Sequence, residues 1–316
     1  CTTLGEMAHA EGTQHFATAL KGWEGGEGLV RDGVEPGRKR FVDRRLTAEE
    51  TAAIARIAQR TGVAVSTVVM LAWGVVTARL AGRDDTVFGN TLNGRNLIPG
   101  AADAPGCFIV TVPIRLHLSR DLTLGTALKR MRANQIALRP FEQTPLASIR
   151  QQLDVPPGRA IYDTLVMFDR ASLHSQMQMR GGAWRSRKVR LLEEGDAAIT
   201  LAAFVSDETE LTVEYDPDQA PQGAALADHL VQFLRHLDGA EAHQPLGAIS
   251  MLGAEEDARL RALSGGPVPP QDDTRCCATL FEEVAARQPD HSALEQPGEE
   301  PLSYAALDQL ANQRAH

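Results

Sequence analysis

The sequence lacks the signatures of several common protein classes. No apolar run approaches the length of a membrane span. There is no Gly-x-Ser-x-Gly elbow, no glycine-rich phosphate loop ending in lysine and no His-Glu-x-x-His metal motif. These absences exclude the best-known hydrolase, nucleotide-binding and zinc-protease patterns, and they leave no predicted metal site.

Cysteine is scarce as well. The four cysteines have a spacing that fits neither a zinc site nor a disulfide framework, and the reducing cytoplasm is the expected compartment. Cys107 is expected to be a small core residue within a strand. The adjacent cysteines Cys276 and Cys277 are expected to be exposed in a linker. The fourth cysteine, Cys1, is the first residue of the sequence.

Positive charge is also in short supply. The 316 residues include 32 Lys and Arg against 41 Asp and Glu, which gives a net charge of -9. Proteins that bind nucleic acid or anionic membranes need a positive field, so the balance argues against both partners. One basic cluster, residues 180–190 around Trp184, could form a polyanion patch. In an acidic protein, a solvated surface or a contact with an acidic carrier domain is the better interpretation.

What remains has the composition of a globular chain in two parts. Hydrophobic residues make up 43% of the sequence, and its length suffices for two ordinary domains, or one and part of another. Residues 264–274 combine flexible glycine with stiff proline, which is typical of an interdomain linker. The chain starts without methionine or a signal peptide and ends inside a helical pattern, so we expect a piece of a longer protein.

Cap signals and apolar periodicity predict the helices. Thr47 and Glu50 have the spacing of a capping box, and Gly62 should end the helix that they begin. Thr123 should cap another helix, which Pro140 stops. Further helices are predicted at 16–23, 66–80, 221–237 and within 246–263.

The predicted strands centre on two segments joined by a long loop. Residues 86–90 and 107–118 are rich in β-branched and aromatic residues, and glycine, proline and asparagine lie between them. Gly94 and Gly106 are placed where the chain bends sharply or another backbone comes close. Further strands are predicted at 162–169, 188–193, 199–206 and 210–215.

These two segments resemble the condensation domain of nonribosomal peptide synthetases. Phe88-Gly89 with Asn93-Gly94-Arg95 is similar to that family's Phe-Gly-x-x-x-Ser-Gly-Arg signature. Its Gly-x-Phe-x-Asn-Thr-x-Pro-x-Arg signature is matched by Gly106, Phe108, Thr111, Pro113 and Arg115. Asn93 replaces the family's serine and Val110 its asparagine, so the amide at position 110 is missing here.

Other segments carry the same resemblance. Residues 140–146 are similar to the family's aromatic-Glu-His-Thr-Pro-Leu segment, with Glu142, Thr144 and Pro145 in place and Gln143 where histidine is usual. Residues 162–168 resemble its Phe-Asp-x-x-x-x-Phe strand. Residues 279–308 resemble the opening of an amino-acid adenylation domain.

The resemblance implies an α/β fold. Residues 1–263 would form the C-terminal lobe of a condensation domain, a chloramphenicol-acetyltransferase-like sandwich with a mixed sheet and packed helices. Residues 264–274 would be the linker. Residues 275–316 would be the truncated α/β N-terminus of an adenylation domain.

The resemblance also implies a function for the parent protein. Condensation domains form an amide bond between a carrier-bound acyl or peptidyl thioester and the amine of a carrier-bound amino acid. The family's His-His-x-x-x-Asp-Gly motif is absent here, so no catalytic residue is predicted and we expect the chain to be inactive alone. Two alternatives stay open: a non-catalytic docking half-domain and a stand-alone acyltransferase of the same fold.

The implied partners follow from this function. They are the upstream and downstream carrier domains with their phosphopantetheine arms, the missing N-terminal lobe and the rest of the adenylation domain. This chain would bind no cofactor itself, while the complete adenylation domain would use ATP and Mg²⁺.

Two arginines and a glutamate allow more than one interpretation. Arg95 and Arg115 could bind a carboxylate or the phosphopantetheine phosphate, but buried salt bridges that fix the loop between the strands are favoured. Glu142 is expected to be a structural acceptor rather than a base. His15, His117 and His174 are expected to be surface or hydrogen-bonded residues. The candidate channel-wall or structural residues are therefore Asn93, Gly94, Arg95, Gly106, Phe108, Thr111, Pro113, Arg115, Glu142, Thr144 and Pro145.

Overall fold

A six-stranded mixed sheet forms the centre of the larger of two structural units, residues 1–256 and 257–316. The computed structural model describes residues 2–95, 104–169, 176–177, 179–184, 187, 197–264, 276–296 and 300–315. The six strands are β1 Arg40–Leu46, β2 Asp85–Leu92, β3 Val110–His117, β4 Thr164–Asp169, β5 Ile199–Val205 and β6 Thr209–Tyr215.

The strand order is β1-β6-β5-β4-β2-β3. The pairs β2–β4 and β4–β5 are parallel, and the other neighbours are antiparallel. In the β2–β3 pair, Asp85 lies opposite His117 and Leu92 opposite Val110. The predicted strand pair around the long loop is therefore confirmed, and it ends the sheet at β3.

Helices pack around this sheet. The helices of the larger unit are α1 Thr2–Ala19, α2 Ala48–Thr61, α3 Val65–Leu80, α4 Leu124–Leu138, α5 Leu146–Arg150 and α6 Gly223–His236, and α7 Ala254–Ser264 spans the division. Short 3₁₀ turns occupy Arg139–Phe141, Gly182–Trp184 and Leu246–Ala248. No single helix in the described part of the chain is long and apolar enough to cross a membrane. Helices α2 and α3 meet the length and hydropathy of a span only when taken together, and the pair is bent by 102°.

The predicted helix caps are confirmed. Thr47 Oγ1 accepts from the Glu50 amide while the Glu50 carboxylate accepts from the Thr47 amide. Gly62 ends α2 at φ +70, a left-handed conformation that glycine adopts at little cost. Thr123 accepts from the Thr126 amide at the start of α4.

Helix α3 is the centre of the core. Almost all of its length is buried, and Trp73 donates to Thr164 Oγ1 of β4 across 3.1 Å. A Cβ at Gly74 would lie 2.6 Å from Leu116 Cδ1, so glycine lets the helix approach the sheet closely. This packing holds β2 in place under α3.

The prediction for residues 1–45 is wrong in two respects. The helix expected at 16–23 is α1, which ends at Ala19 and is followed by a turn with Gly22 at φ +76. Strand β1 was not predicted, because its charged residues obscure the alternation. As an edge strand it keeps Arg44 and Arg45 at the surface, where they pair with acidic side chains of α6 and the β5–β6 hairpin.

Cys107 also departs from its prediction. It is exposed and precedes β3, which begins only at Val110. The strand expected at 188–193 and most of the linker at 264–274 lie outside the described residues, as do His174 and most of the basic cluster.

The smaller unit pairs a two-stranded antiparallel sheet with two helices. Its further elements are α8 Cys277–Arg287, β7 Ser292–Leu294, β8 Leu302–Ser303 and α9 Tyr304–Ala315. The rings of Phe281 and Tyr304 lie 5.8 Å apart between the two helices. Cys276 and Cys277 are exposed as expected, although Cys277 begins α8 rather than lying in a linker.

Candidate functional site

Strand β2 carries the first motif through the densest part of the sheet. Phe88 is fully buried, and a Cβ at Gly89 would lie 2.7 Å from Tyr162 Cζ and 2.4 Å from Leu165 Cδ2. Only glycine leaves room for that ring. Burial raises the pKa of Tyr162 to about 12. The packing of Phe88 and Gly89 thus fixes the position of the residues that follow them.

The chain turns sharply where β2 ends. Asn93 Oδ1 accepts from the Arg95 amide, and Gly94 lies at φ +67. A Cβ at Gly94 would lie 1.9 Å from the Phe108 carbonyl oxygen, so no larger residue fits there without displacing the entry to β3. Gln143 donates to the Gly94 carbonyl across 2.9 Å. The residue that replaces the expected histidine therefore holds this turn.

Arg95 closes the loop between the two strands. Its guanidinium donates to the carbonyls of Ala104 and Gly106, at 2.6 and 2.9 Å, and stacks 4.4 Å above the Phe108 ring. Gly106 at φ +144 lets that ring fold back beneath the arginine. Arg95 therefore fixes the loop through backbone carbonyls and a ring, where a buried salt bridge was predicted.

Arg115 lies at the opposite end of the strand pair. Its guanidinium forms a bidentate ion pair with Asp85 and donates to the Lys21 carbonyl across 2.8 Å. The side chain is only 12% exposed. The predicted salt bridge is confirmed, but it joins β3 to β2 at the end away from the loop, and the hydrogen bond to Lys21 ties the segment after α1 to the sheet. The same Asp85 contacts His117.

Other motif residues complete the structural frame formed by β2, β3 and the loop that joins them. Thr111 pairs with Thr91 across the strands, their hydroxyls 3.3 Å apart, and Pro113 is buried opposite Gly89 on the edge strand. Thr144 is buried against α1, where a Cβ at Gly12 would lie 2.0 Å from its hydroxyl. Pro145 begins α5.

A cavity of about 590 Å³ opens beside this frame. It lies between the end of β2, the start of α3 and the end of α4. Three of the predicted site residues line it together: Asn93, Gly94 and Glu142. Partial burial raises the pKa of Glu142, an effect that the Arg139 charge partly offsets. Phe168 of β4 adds an apolar surface.

Asn90 is the cavity residue that the motif analysis missed. It is 3% exposed, and its Oδ1 has no hydrogen-bond partner in the described part of the protein. A buried carbonyl oxygen without a donor is costly, so such atoms commonly mark a place where a ligand or water donates. The available sequence signal was its position directly after the Phe88-Gly89 pair, within the predicted strand.

The arrangement favours binding and orientation over chemistry. Asn90, whose Oδ1 is buried, and Glu142 both carry acceptor oxygens and line a space large enough for a small organic group. Among the described residues no group of three His, Cys, Asp or Glu side chains is placed to hold a metal ion. His15, the nearest motif-flanking histidine, stacks on Phe141, and burial lowers its pKa.

Comparison with known proteins extends the sequence resemblance. The chain is 25% identical over 317 residues to bacitracin synthase 3 of Bacillus licheniformis, a match covering 96% of this chain and 5% of that protein. It is 26% identical over 319 residues to surfactin synthase subunit 3 of Bacillus subtilis strain 168, covering 96% and 24%. The chain therefore spans a small part of these relatives.

The fold and the family model agree with these matches. The solved structure of a holo four-domain nonribosomal peptide synthetase bound to AMP and glycine superposes with a TM-score of 0.65 at 16% identity, covering 97% of this chain and 25% of that one. This likeness supports the predicted α/β fold with a mixed sheet and packed helices. The family model described as Condensation domain matches residues 32–261. The chain belongs to the condensation-domain family of nonribosomal peptide synthetases.

Proposed function

We propose that this chain supplies one wall of the channel in which a condensation domain forms an amide. The donor would be an upstream carrier-bound acyl or peptidyl thioester, and the acceptor the amine of a downstream carrier-bound amino acid. The observation that carries the proposal is the cavity at the end of β2, which is lined by Asn90, a residue whose buried Oδ1 has no hydrogen-bond partner among the described residues.

The reaction defines what this wall contributes. The acceptor nitrogen attacks the thioester carbonyl, the new C–N bond forms, and the thiol leaves while the nitrogen loses a proton. Asn90 Oδ1 accepts an N–H of the substrate and so orients it, since a fixed acceptor costs no reorganisation during attack. The half-buried Glu142 carboxyl, with its raised pKa, provides a second acceptor.

The proton acceptor belongs to another part of the synthetase. This sequence has no His-His-x-x-x-Asp-Gly motif, so the histidine that the resemblance implies would come from the separate N-terminal lobe. Ile109 is 65% exposed just before the edge strand β3 and is available for packing against that lobe.

The remaining partners extend the proposal. The two carrier domains would present their phosphopantetheine arms to the channel, and the whole assembly would work in the cytoplasm. Residues 264–274 would link the lobe to residues 275–316, the start of an adenylation domain that uses ATP and Mg²⁺ when complete. The Leu302–Ser303 strand and the helix after it hold the residues that resemble that domain.

The test is amide formation from two loaded carrier proteins, followed by mass spectrometry. The 316-residue chain alone should give no product, and adding a separately produced N-terminal lobe that carries the His motif should restore it. The intact condensation domain that donates the lobe is the positive control for the carriers. Product from the chain alone would contradict the proposal, as would failure of the complemented chain to form product when that control succeeds.

A further inference from the structure

A second cavity, of about 660 Å³, lies at the other end of β2. Its wall is built by the end of α3, the turn at 82–84, the residues after β3 and the segment 246–252. The charged residues of this lining are Arg79, Arg83 and Arg120, with Asp84 as its sole carboxylate. In a protein with a net charge of -9, this place carries a local excess of positive charge.

Arg79 is fixed in the cavity wall. Its two terminal nitrogens donate to the carbonyls of Leu246 and Ile249, at 2.5 and 2.7 Å, and the guanidinium lies 5.6 Å from the centre of the Phe233 ring. Burial lowers the pKa of Arg79, and the nearby charge of Arg120 lowers it further. The two cations are therefore close enough to repel each other.

The fold holds Arg120 near this wall in spite of that repulsion. The Arg120 carbonyl accepts from the Gly247 amide across 3.0 Å, and a Cβ at Gly247 would lie 3.2 Å from that of Arg120. The exposed Arg120 guanidinium makes no hydrogen bond and no ion pair within the described part of the chain. All five of its N–H groups are free for a ligand.

Arg83 adds a third cation. Its guanidinium lies 5.9 Å from the centre of the Trp23 ring and makes one long bond, of 3.5 Å, to the Gly26 carbonyl. None of the ion pairs that the described residues form includes Arg79, Arg83 or Arg120. Three arginines that form no ion pair among the described residues thus line a single space, together with Ser119 and Ser250.

We propose that this arginine cavity binds a phosphate group. The planar fork of a guanidinium matches the oxygens of a phosphate, and each charge-assisted hydrogen bond is stronger than a neutral one. A bound dianion would also remove the repulsion between Arg79 and Arg120. The cavity shares no lining residue with the Asn90 cavity, so the inference does not depend on the proposed channel.

Two sources could supply the phosphate. One is a free inorganic anion, either phosphate or pyrophosphate. The other is the phosphate ester at the end of a pantetheine chain. Both offer the same oxygens to the arginines, and they differ in whether an organic chain follows the phosphate into the cavity.

The test is isothermal titration of the complete 316-residue chain at low ionic strength. The probes are inorganic phosphate, pyrophosphate, 4′-phosphopantetheine and, as the control without phosphate, pantetheine. We expect the phosphate probes to bind, with an affinity that falls as salt is added. Tighter binding of phosphopantetheine than of either inorganic anion would identify the ester as the source, and the reverse order would identify the free anion.

The variant Arg120→Gln makes the test specific. It removes an exposed side chain without partners, so folding should be unaffected, and it should weaken phosphate binding by roughly tenfold or more. Arg130→Gln, which changes an exposed arginine of α4 outside the cavity, should bind as the wild type does. Absence of binding to the wild type, equal affinity in Arg120→Gln, or equal binding of pantetheine would each overturn the proposal.

Discussion

The two ends of β2 differ in the chemistry that they leave unpartnered. At the C-terminal end, the cavity is lined by Asn90, with its buried Oδ1, and by Glu142, and both side chains carry acceptor oxygens. At the N-terminal end, the cavity presents the cations Arg79, Arg83 and Arg120. The same strand therefore separates a place suited to an N–H donor from a place suited to an anion.

The motif residues behave alike at both ends. Arg95 is satisfied by two carbonyls and a ring, and Arg115 by a carboxylate and a carbonyl. Arg95 and Arg115, whose hydrogen bonds are made, hold the strands and the loop in place. Asn90 and Arg120 line the cavities and have no side-chain partner among the described residues, and neither is one of the residues that the signatures specify. In this protein, the sequence motifs indicate the region of the candidate site but do not identify the unpartnered side chains that line the cavities.

The largest expected effect concerns a buried carboxyl near the start of β2. Burial, with the nearby Asp163 charge, raises the pKa of Glu27 from 4.5 to about 8, although a hydrogen bond from Thr86 opposes the shift. A raised pKa in the folded state stabilises the fold fully below pH 4.5, and this contribution is lost as pH rises to 8. The loss should be about 4 kcal/mol over that range.

Urea unfolding of the wild type and of Glu27→Gln at several pH values measures this contribution. The variant cannot ionise, so its unfolding free energy should be flatter than that of the wild type between pH 4.5 and pH 8. Parallel curves for the two proteins would mean that Glu27 does not titrate in this range.

The next largest effect on the free energy of unfolding should come from disrupting the turn at the other end of β2. Gly94→Ala combines a left-handed φ with a Cβ that would meet the Phe108 carbonyl, and should lower the free energy of unfolding by about 3 kcal/mol. Gly82→Ala is the matched control, because Gly82 has φ +66 with nothing within 4 Å of the new Cβ. It should cost about 1 kcal/mol. Equal losses in urea unfolding would refute the close contact.

Smaller losses of stability are expected from removing ion pairs, and two arginines can be compared. Arg115→Gln removes a bidentate pair that is 12% exposed on the arginine side, and should cost about 1–2 kcal/mol. Arg45→Gln removes pairs from an arginine that is 59% exposed and should change stability by less than about 0.5 kcal/mol. Similar values for the two variants in thermal or urea unfolding would mean that the partly buried Asp85 pair stabilises the fold no more than an exposed pair does.

Little effect on stability is expected from replacing Asn90. Replacing it by leucine removes a buried oxygen without a partner, so the unfolding free energy should stay within about 1 kcal/mol of the wild type. A loss well above that value in urea unfolding would mean that Asn90 is part of the structural frame instead.

Local signals predicted much of the fold. The Thr47 and Glu50 capping box, the apolar face of α3 and the turn residues at 93–94 each act within a few residues, so the sequence displays them directly. Strand β1 escaped prediction because its pairing with β6 is a tertiary feature and its side chains are charged. Cys107 was misplaced because the chain enters β3 three residues later than the β-rich pattern suggested.

The site was predictable only in part. Asn93, Gly94 and Glu142, which the signatures singled out, lie beside one cavity, but the spacing of the signatures gave no information about the opposing elements. Arg79, Arg83 and Arg120 come from separate segments of the chain, and Gly247 brings the last of them to the wall. Groups that converge only through tertiary packing leave no local pattern in a sequence.

The most direct test of the channel-wall assignment is the rate of amide formation by Asn90→Leu. The measurement uses the 316-residue chain complemented with the N-terminal lobe and two loaded carriers, with Asn134→Leu, an exposed asparagine outside the cavity, as the control. Loss of a hydrogen bond to the reacting group should slow the variant by roughly tenfold or more, while its unfolding free energy stays near that of the wild type. A variant as fast as the wild type would contradict the role of Asn90 Oδ1 in binding the substrate.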